Sequence, residues 1–381
     1  MDIYITFYSI FPKKRFYIYN GFSFGRNKDE KYTDLFFSNL TTPEEIKSSI
    51  EKYSPNKVWC SLSLFDHFEK VKNLINDKWI VGGPLVGKRF FEKYKHTKNF
   101  VTQPLEIYLN KNISSDFDFY PKDFLKNFSN SKITYSCGLG FGCYWRKCTF
   151  CSYQTMSKSK VGRKLVLRDV DKVLETLPNS EDNFLTFHTC LDSIPSSILS
   201  KLLDNNKVKS MWTFMRPDRR NLEVVRNTGR DLRDFSFSIG LEGFSQKALQ
   251  ELNKGFTIEE AIEAIKVLLK KNASVYVSVL GCLPFMDKDM FEESLRNISV
   301  LKNLQGRLIL VYVENIFWQS LEAASKYAFE VIKTNTEEFV VKIPKNSDVF
   351  HYNGKIKEEV FSSFPRLVGS VEFARDKCLA T

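Results

Sequence analysis

Between residues 132 and 313 the sequence alternates short β-branched and aromatic runs with amphipathic helical runs. That alternation allows little besides a parallel α/β fold. Strand patterns fall at 132–135, Phe184–His188, Lys209–Phe214, Asp234–Ile239, Ser274–Leu280 and Arg307–Val313. Helical patterns separate them at Val170–Leu177, Pro195–Leu203, Asn221–Thr228, Ser245–Asn253, Ile258–Lys271 and Lys288–Leu301. Six strands with intervening helices predict a partial (β/α)6 TIM-like barrel over 131–315.

The N-terminal stretch alternates too. Strands are expected at Ile3–Tyr8, Val58–Leu62 and Trp79–Val81, with a further short strand at Asn99–Val101. Helices are expected from about Thr42 to Tyr53, from Asp66 to Ile75 and from Lys88 to Tyr94. Thr42 suits an N-cap with Pro43 in the first helical position. Residues 1–105 thus read as a small Rossmann-like α/β domain. Residues 106–130, with Asn110, Asn112, Ser114, Ser115 and Pro121, read as a linker. Residues 316–381 form a C-terminal extension, a candidate substrate-binding or lid segment. A chain of 381 residues has room for this division.

The apolar runs are too short to span a membrane. The first residues lack the basic and apolar regions of a signal peptide, so the expected location is the cytoplasm. A net charge of +11 favours an anionic partner without choosing one, and no lysine-rich arm carries it.

Eight cysteines in such a chain argue against a disulfide framework. Cys60, Cys190, Cys282 and Cys378 are scattered, as small buried residues often are. Cys137, Cys143, Cys148 and Cys151 fall within 15 residues of one another, as metal ligands do. Zinc sites generally pair two Cys-x-x-Cys knuckles, or combine cysteine with histidine. Only Cys148 and Cys151 make such a knuckle, and the nearest histidine is His188. Cys143-x4-Cys148-x2-Cys151 in a glycine-rich loop instead suits three corners of a [4Fe–4S] cube. Gly138, Gly140 and Gly142 are expected to supply backbone freedom there. A zinc-binding or redox-passive cluster protein remains the alternative outside catalysis.

Gly142 to Cys151, with Phe150 as the aromatic before the last cysteine, resembles the cluster loop of radical S-adenosylmethionine (SAM) enzymes. The usual spacing there is Cys-x3-Cys-x2-Cys. The extra residue is similar to the variant loop of a subgroup with a cobalamin-domain-like N-terminus, many of whose members modify ribosomally made peptides. The order of downstream segments resembles the same family. These are Phe187–Pro195, Trp212–Arg216, Ser238–Ser245 followed by Leu249 and Asn253-Lys254-Gly255, and Val279–Pro284.

The resemblance implies that Cys143, Cys148 and Cys151 hold a [4Fe–4S] cluster and that Cys137 does not. It implies that SAM binds the open iron and is cleaved reductively, and that the resulting 5′-deoxyadenosyl radical abstracts hydrogen from the substrate. Cofactor contacts are expected from Tyr144, Phe150, Arg216, Ser238 and Glu242. Arg216 would meet the SAM carboxylate through paired donors, and Glu242 the ribose. Cys190, Cys282 and Cys378 are candidate hydrogen donors to a substrate radical. A peptide substrate is expected, with epimerisation or another C–H modification as the outcome. The alternative substrates are a small metabolite or RNA. A flavodoxin-type electron donor is expected, and the basic run Lys158, Lys160, Arg163, Lys164 and Arg168 could steer it.

Ile80-Val81-Gly82-Gly83-Pro84 resembles part of a cobalamin-binding fold. The Asp-x-His-x-x-Gly signature is missing, because His67 follows Asp66 directly. The N-terminal domain is therefore expected to be a degenerate module that does not bind cobalamin tightly.

Overall fold

The structure is a computed structural model. It describes residues 1–8, 26–27, 31–38, 41–61, 65–82, 117–118, 133–136, 139–141, 143–150, 165–167, 169–175, 185–189, 191, 193–313, 324–327, 329–333, 339–364 and 367–368. Two compact units emerge. One gathers 1–141, 156–191 and 206–211; the other gathers 142–155, 192–205 and 212–381.

The first unit contains β1 (Asp2–Tyr8), β2 (Arg26–Asn27), β3 (Tyr32–Ser38), α1 (Pro43–Glu51), β4 (Val58–Ser61), α2 (Phe65–Val71) and β5 (Trp79–Gly82). After these come β6 (Phe117–Asp118), β7 (Ile133–Ser136), β8 (Gly140–Phe141), β9 (Val166–Leu167), α3 (Val170–Glu175) and β10 (Leu185–His188). A four-stranded parallel sheet has the order β3-β1-β4-β5. Its core joins Ile3, Ile5, Val58, Cys60 and Val81 to Ile46 and Ile50 of α1 and Phe68 of α2. Cys60 is fully buried, and that burial pushes its thiol pKa up, so it behaves as an apolar core residue.

α1 starts as expected. Thr42 and Glu45 form a reciprocal capping box, and Pro43 takes the first turn. The Tyr32–Ser38 strand was not anticipated from the sequence; it pairs in parallel along all seven residues of β1. Within the expected linker, Phe117–Asp118 pairs antiparallel with Arg26–Asn27. The helix expected at Lys88–Tyr94 and the strand at Asn99–Val101 lie outside the described residues. β7 and β10 pair in parallel, as an α/β crossover requires.

The second unit contains α4 (Ser196–Asp204), β11 (Ser210–Phe214, its last three residues), α5 (Arg219–Asn227), β12 (Phe235–Glu242), α6 (Gln246–Glu251), α7 (Ile258–Lys270) and β13 (Ser274–Leu280). It continues through α8 (Lys288–Lys302), β14 (Arg307–Val313), β15 (Glu330–Lys333), β16 (Phe339–Lys342), α9 (Asp348–Ser363) and β17 (Leu367–Val368). Sheet order here is β17-β14-β13-β12-β11, and strand–helix alternation follows that of a partial barrel. Along β12, Phe235, Phe237, Ile239 and Leu241 are buried on one face. The other face carries Ser236, Ser238, Gly240 and Glu242. Register with β13 shifts between Gly240 and Glu242, a bulge that re-aims the strand end.

The C-terminal extension is built into this unit. β15 and β16 form a hairpin, α9 packs on α8, and β17 extends the sheet in parallel beside β14. Asn353 of α9 is buried and works like a strand edge. Its Oδ1 accepts from the Leu283 amide at 2.9 Å, and its Nδ2 donates to the Leu283 carbonyl at 3.0 Å. Leu283 lies in the turn after β13, next to Cys282. Asn353→Leu would keep the volume and leave two buried backbone groups unpaired, at about 1–3 kcal/mol each. We expect it to lower the stability of this unit by about 2–4 kcal/mol in a chemical denaturation series; a change within experimental scatter would refute the clamp. No helix among the described residues is long and apolar enough to cross a membrane.

Candidate functional site

The described part of the cysteine loop, Cys143–Phe150, is tied down at Cys143, Tyr144, Trp145 and Thr149. Cys143 makes a parallel bridge with Ser193. The Tyr144 hydroxyl donates a short hydrogen bond to Asp218 and accepts from Asn221 Nδ2 at 3.2 Å. Asp218 caps α5 through the Asn221 amide, so the loop is anchored to a helix start. Burial and the Asp218 carboxylate push the Tyr144 pKa up, which keeps the phenol neutral. On the other side, the Thr149 amide donates to the Leu252 carbonyl at 3.1 Å and its hydroxyl to the Glu251 carbonyl at 3.2 Å.

Trp145 is the wedge between these anchors. Its Nε1–H donates to the Asn253 carbonyl at 2.7 Å. Its ring lies so close to Gly255 that a Cβ there would sit 1.9 Å from it. The Arg216 guanidinium stacks on the opposite partners of the same wedge: 4.4 Å from the Trp145 ring, 5.2 Å from Phe256 and 5.9 Å from Tyr144. Arg216 Nη2 also donates to the Lys254 carbonyl. At 7% exposure this arginine is inside the protein, and among the described residues its Nε has no hydrogen-bond partner.

Asn253-Lys254-Gly255 is therefore a structural part of the loop's seat. It leaves the end of α6 with Asn253 at φ +51° and Gly255 at φ +67°. Two of its carbonyls receive Trp145 and Arg216. Sequence reasoning quoted this tripeptide only as a pattern and missed its function. It also missed Trp145, whose only signal was its place in a loop one residue longer than usual. Arg146 takes φ +58°, a left-handed turn that accommodates the longer loop. The expected glycine freedom differs in detail: Gly140 lies in β8, paired with Leu167, and has no positive φ.

Glu242 ends β12 at φ +68°, a strained conformation for a non-glycine residue. Its Oε1 accepts from Ser278 Oγ at 3.3 Å and lies 3.5 Å from Lys254 Nζ. Gly240 leaves the room for this pair, since a Cβ there would approach Glu242 Oε1 to 2.7 Å. Ser238 is buried in the same strand, and its carbonyl receives the Met215 amide just before Arg216.

The structure thus brings Tyr144, Phe150, Arg216 and Glu242 around one loop with Cys143 and Cys148. Both cysteines are partly exposed. Burial raises the Cys148 pKa, while Lys254 and Arg216 pull it down. Soft thiols beside two buried cations fit an anionic iron–sulfur group with a carboxylate-bearing ligand. Cys137, Cys151, Cys190, Cys378 and the basic run 158–168 apart from 165–167 lie outside the described residues. Among the described residues, no three metal-ligating side chains gather. Cys282 is half-buried in the turn after β13. His67 falls within α2.

Residues 139–298 match the family model described as the Radical SAM superfamily. No curated protein matches the sequence. Solved structures of the cobalamin-dependent SAM radical enzyme OxsB are similar in fold. The form with aqua-cobalamin gives a TM-score of 0.53 at 15% identity, over 81% of this chain and 53% of that one. The form with aqua-cobalamin and SAM gives 0.51 at 13% identity, over 98% of this chain and 58% of that one. The chain thus spans little more than half the length of OxsB. The matched segment begins four residues before Cys143 and runs into α8, so it contains the whole described loop and its seat; over this segment the chain is similar to the radical SAM superfamily.

Proposed function

We propose that the chain is a radical SAM enzyme that modifies a ribosomally synthesised peptide, by epimerisation or another change at a C–H bond. The observation that carries the catalytic part is the fixed loop bearing Cys143 and Cys148 beside Arg216 and Glu242. The peptide substrate is supported by the likeness of Gly142–Cys151 to the loop of a peptide-modifying subgroup. A [4Fe–4S] cluster bound by Cys143, Cys148 and Cys151 would supply the electron for reductive SAM cleavage. Around it, Tyr144 and Trp145 fix the loop, and the Arg216 guanidinium offers donors to the SAM carboxylate. Glu242 offers its second carboxylate oxygen to the ribose, and Phe150 closes the apolar side.

Cys282 is the described candidate for donating hydrogen to a substrate radical, with Cys190 and Cys378 as the others. The reducing electron would come from a flavodoxin-type donor in the cytoplasm, steered by the basic run that includes Lys158, Lys160 and Lys164. The expected absence of tight cobalamin binding rests on the missing Asp-x-His-x-x-Gly signature. Likeness in fold to OxsB, a cobalamin-dependent enzyme, favours a second reading in which cobalamin is bound without that histidine.

Anaerobic reconstitution with iron and sulfide tests both readings. With SAM and a chemical reductant, the loaded protein should release 5′-deoxyadenosine. A precursor peptide encoded beside the gene, treated in D2O, should gain one deuterium per epimerised residue. Absence of 5′-deoxyadenosine from fully loaded protein defeats the catalytic reading; turnover of a metabolite or RNA with no peptide change defeats the peptide one. A corrinoid spectrum retained in stoichiometric amount after hydroxocobalamin loading and desalting would establish the second reading.

A further inference from the structure

Lys254 is 6% exposed, and a lysine is rarely buried so far without a close partner. Its nearest acid, Glu242 Oε1, is at 3.5 Å, a long ion pair between a buried lysine and a largely buried glutamate. Two aromatic rings also lie near it: Nζ is 5.5 Å from the Phe150 ring centroid and 5.9 Å from that of Phe256. Phe150 belongs to the cysteine loop, two residues beyond Cys148. The ammonium therefore sits beside the loop, with these two rings near it and little access to water.

A buried cation beside a cluster favours its reduced form, because reduction adds negative charge and buried surroundings screen little. We propose that Lys254 is a positioning residue for charge. Its buried ammonium raises the reduction potential of the group held by Cys143, Cys148 and Cys151, and Glu242 opposes it. This rests on the cluster reading above. It adds a function for a buried lysine beside the loop's Phe150. It also accounts for Gly240, where a Cβ would lie 3.2 Å from Lys254 Nζ and displace the pair.

The test is an EPR-monitored redox titration of reconstituted full-length protein without SAM, alongside iron and sulfide assay. Lys254→Met should lower the equilibrium constant for one-electron reduction about tenfold, which is about 59 mV. Glu242→Gln should move it the other way. Lys254→Arg, which keeps the charge, should stay near the wild type. Opposite shifts follow from charge and not from a packing defect. Shifts in the same direction, or none in either neutral variant, overturn the proposal. If Lys254→Met does not take up iron, rescue by Lys254→Arg supports the charge, and failure of both overturns it in favour of packing. A wild-type protein that takes up no cluster would instead refute the cluster reading, which separates the two failures.

Discussion

Alanine in place of Cys143, Cys148 or Cys151 should leave the reconstituted protein without its iron–sulfur absorption, and alanine in place of Cys137 should not. Thiolates are the ligands, and losing one of three leaves a corner of the cluster to solvent. Loss of an outer-shell partner already costs about 10–100-fold in metal affinity, so loss of a ligand should exceed that. The loop argues that the effect is local. Tyr144, Trp145 and Thr149 hold its backbone through bonds to Asp218, Asn253, Glu251 and Leu252, none of which needs a cysteine. Each variant should therefore keep a wild-type circular dichroism spectrum while iron and sulfide fall to background. Iron lost from Cys137→Ala but retained in Cys143→Ala would refute the loop assignment.

Much of the barrel was legible because its strands and helices obey simple periods. β12 alternates large apolar residues with serine and glycine, so one face reads as core. α7 carries a Thr257–Glu260 capping box and a continuous apolar stripe from Ile258 to Leu269. β3 was missed because Asp34 interrupts a short run whose identity as a strand depends on pairing with β1, seven residues against seven. α9 was missed for a different reason. Asn353-Gly354 reads as a turn, yet Asn353 faces inward to bind Leu283, and Ile356 and Val360 complete a narrow buried face. A polar residue at a core position defeats a hydrophobic pattern.

The candidate site divides in the same way. Cysteine spacing, the terminal Glu242 and the post-strand Arg216 were readable, since each is a chemical type at a strand end or in a loop. Their supports were not. Trp145 and Lys254 are 109 residues apart in the chain and meet only through the turn after α6, so no local pattern links them. The usual motif names what binds the cluster, while the tripeptide Asn253-Lys254-Gly255 fixes where the loop can sit. Arg216 shows the consequence. It was expected to face a ligand carboxylate, and the structure commits one of its donors to the Lys254 carbonyl and its plane to Trp145. Its Nε is buried and lies 4.0 Å from Asp218 Oδ2, so the guanidinium also faces a carboxylate of the protein itself.

Gly255→Ala should strip the cysteine loop of its support. Two independent costs fall on it. The backbone sits at φ +67°, where a Cβ costs about 1–2 kcal/mol. The added methyl would also lie 1.9–2.8 Å from three atoms of the Trp145 ring, so the indole has to leave its seat. Moving it breaks the 2.7 Å bond to Asn253 and the stacking under Arg216, and the loop between Cys143 and Cys148 loses its central support. We expect less than about a tenth of wild-type iron after reconstitution, as for loss of an essential outer-shell contact. The melting transition of the protein without iron should fall only modestly, because the strand and helix core is untouched. Trp145→Ala alone provides the decisive comparison, since it removes the same bond and stacking and leaves the turn intact. If it loses iron as Gly255→Ala does, the seated indole is what Gly255 protects. If it keeps wild-type iron while Gly255→Ala does not, the left-handed turn itself is what Gly255 preserves. Wild-type iron in Gly255→Ala would mean that Trp145 does not seat the loop.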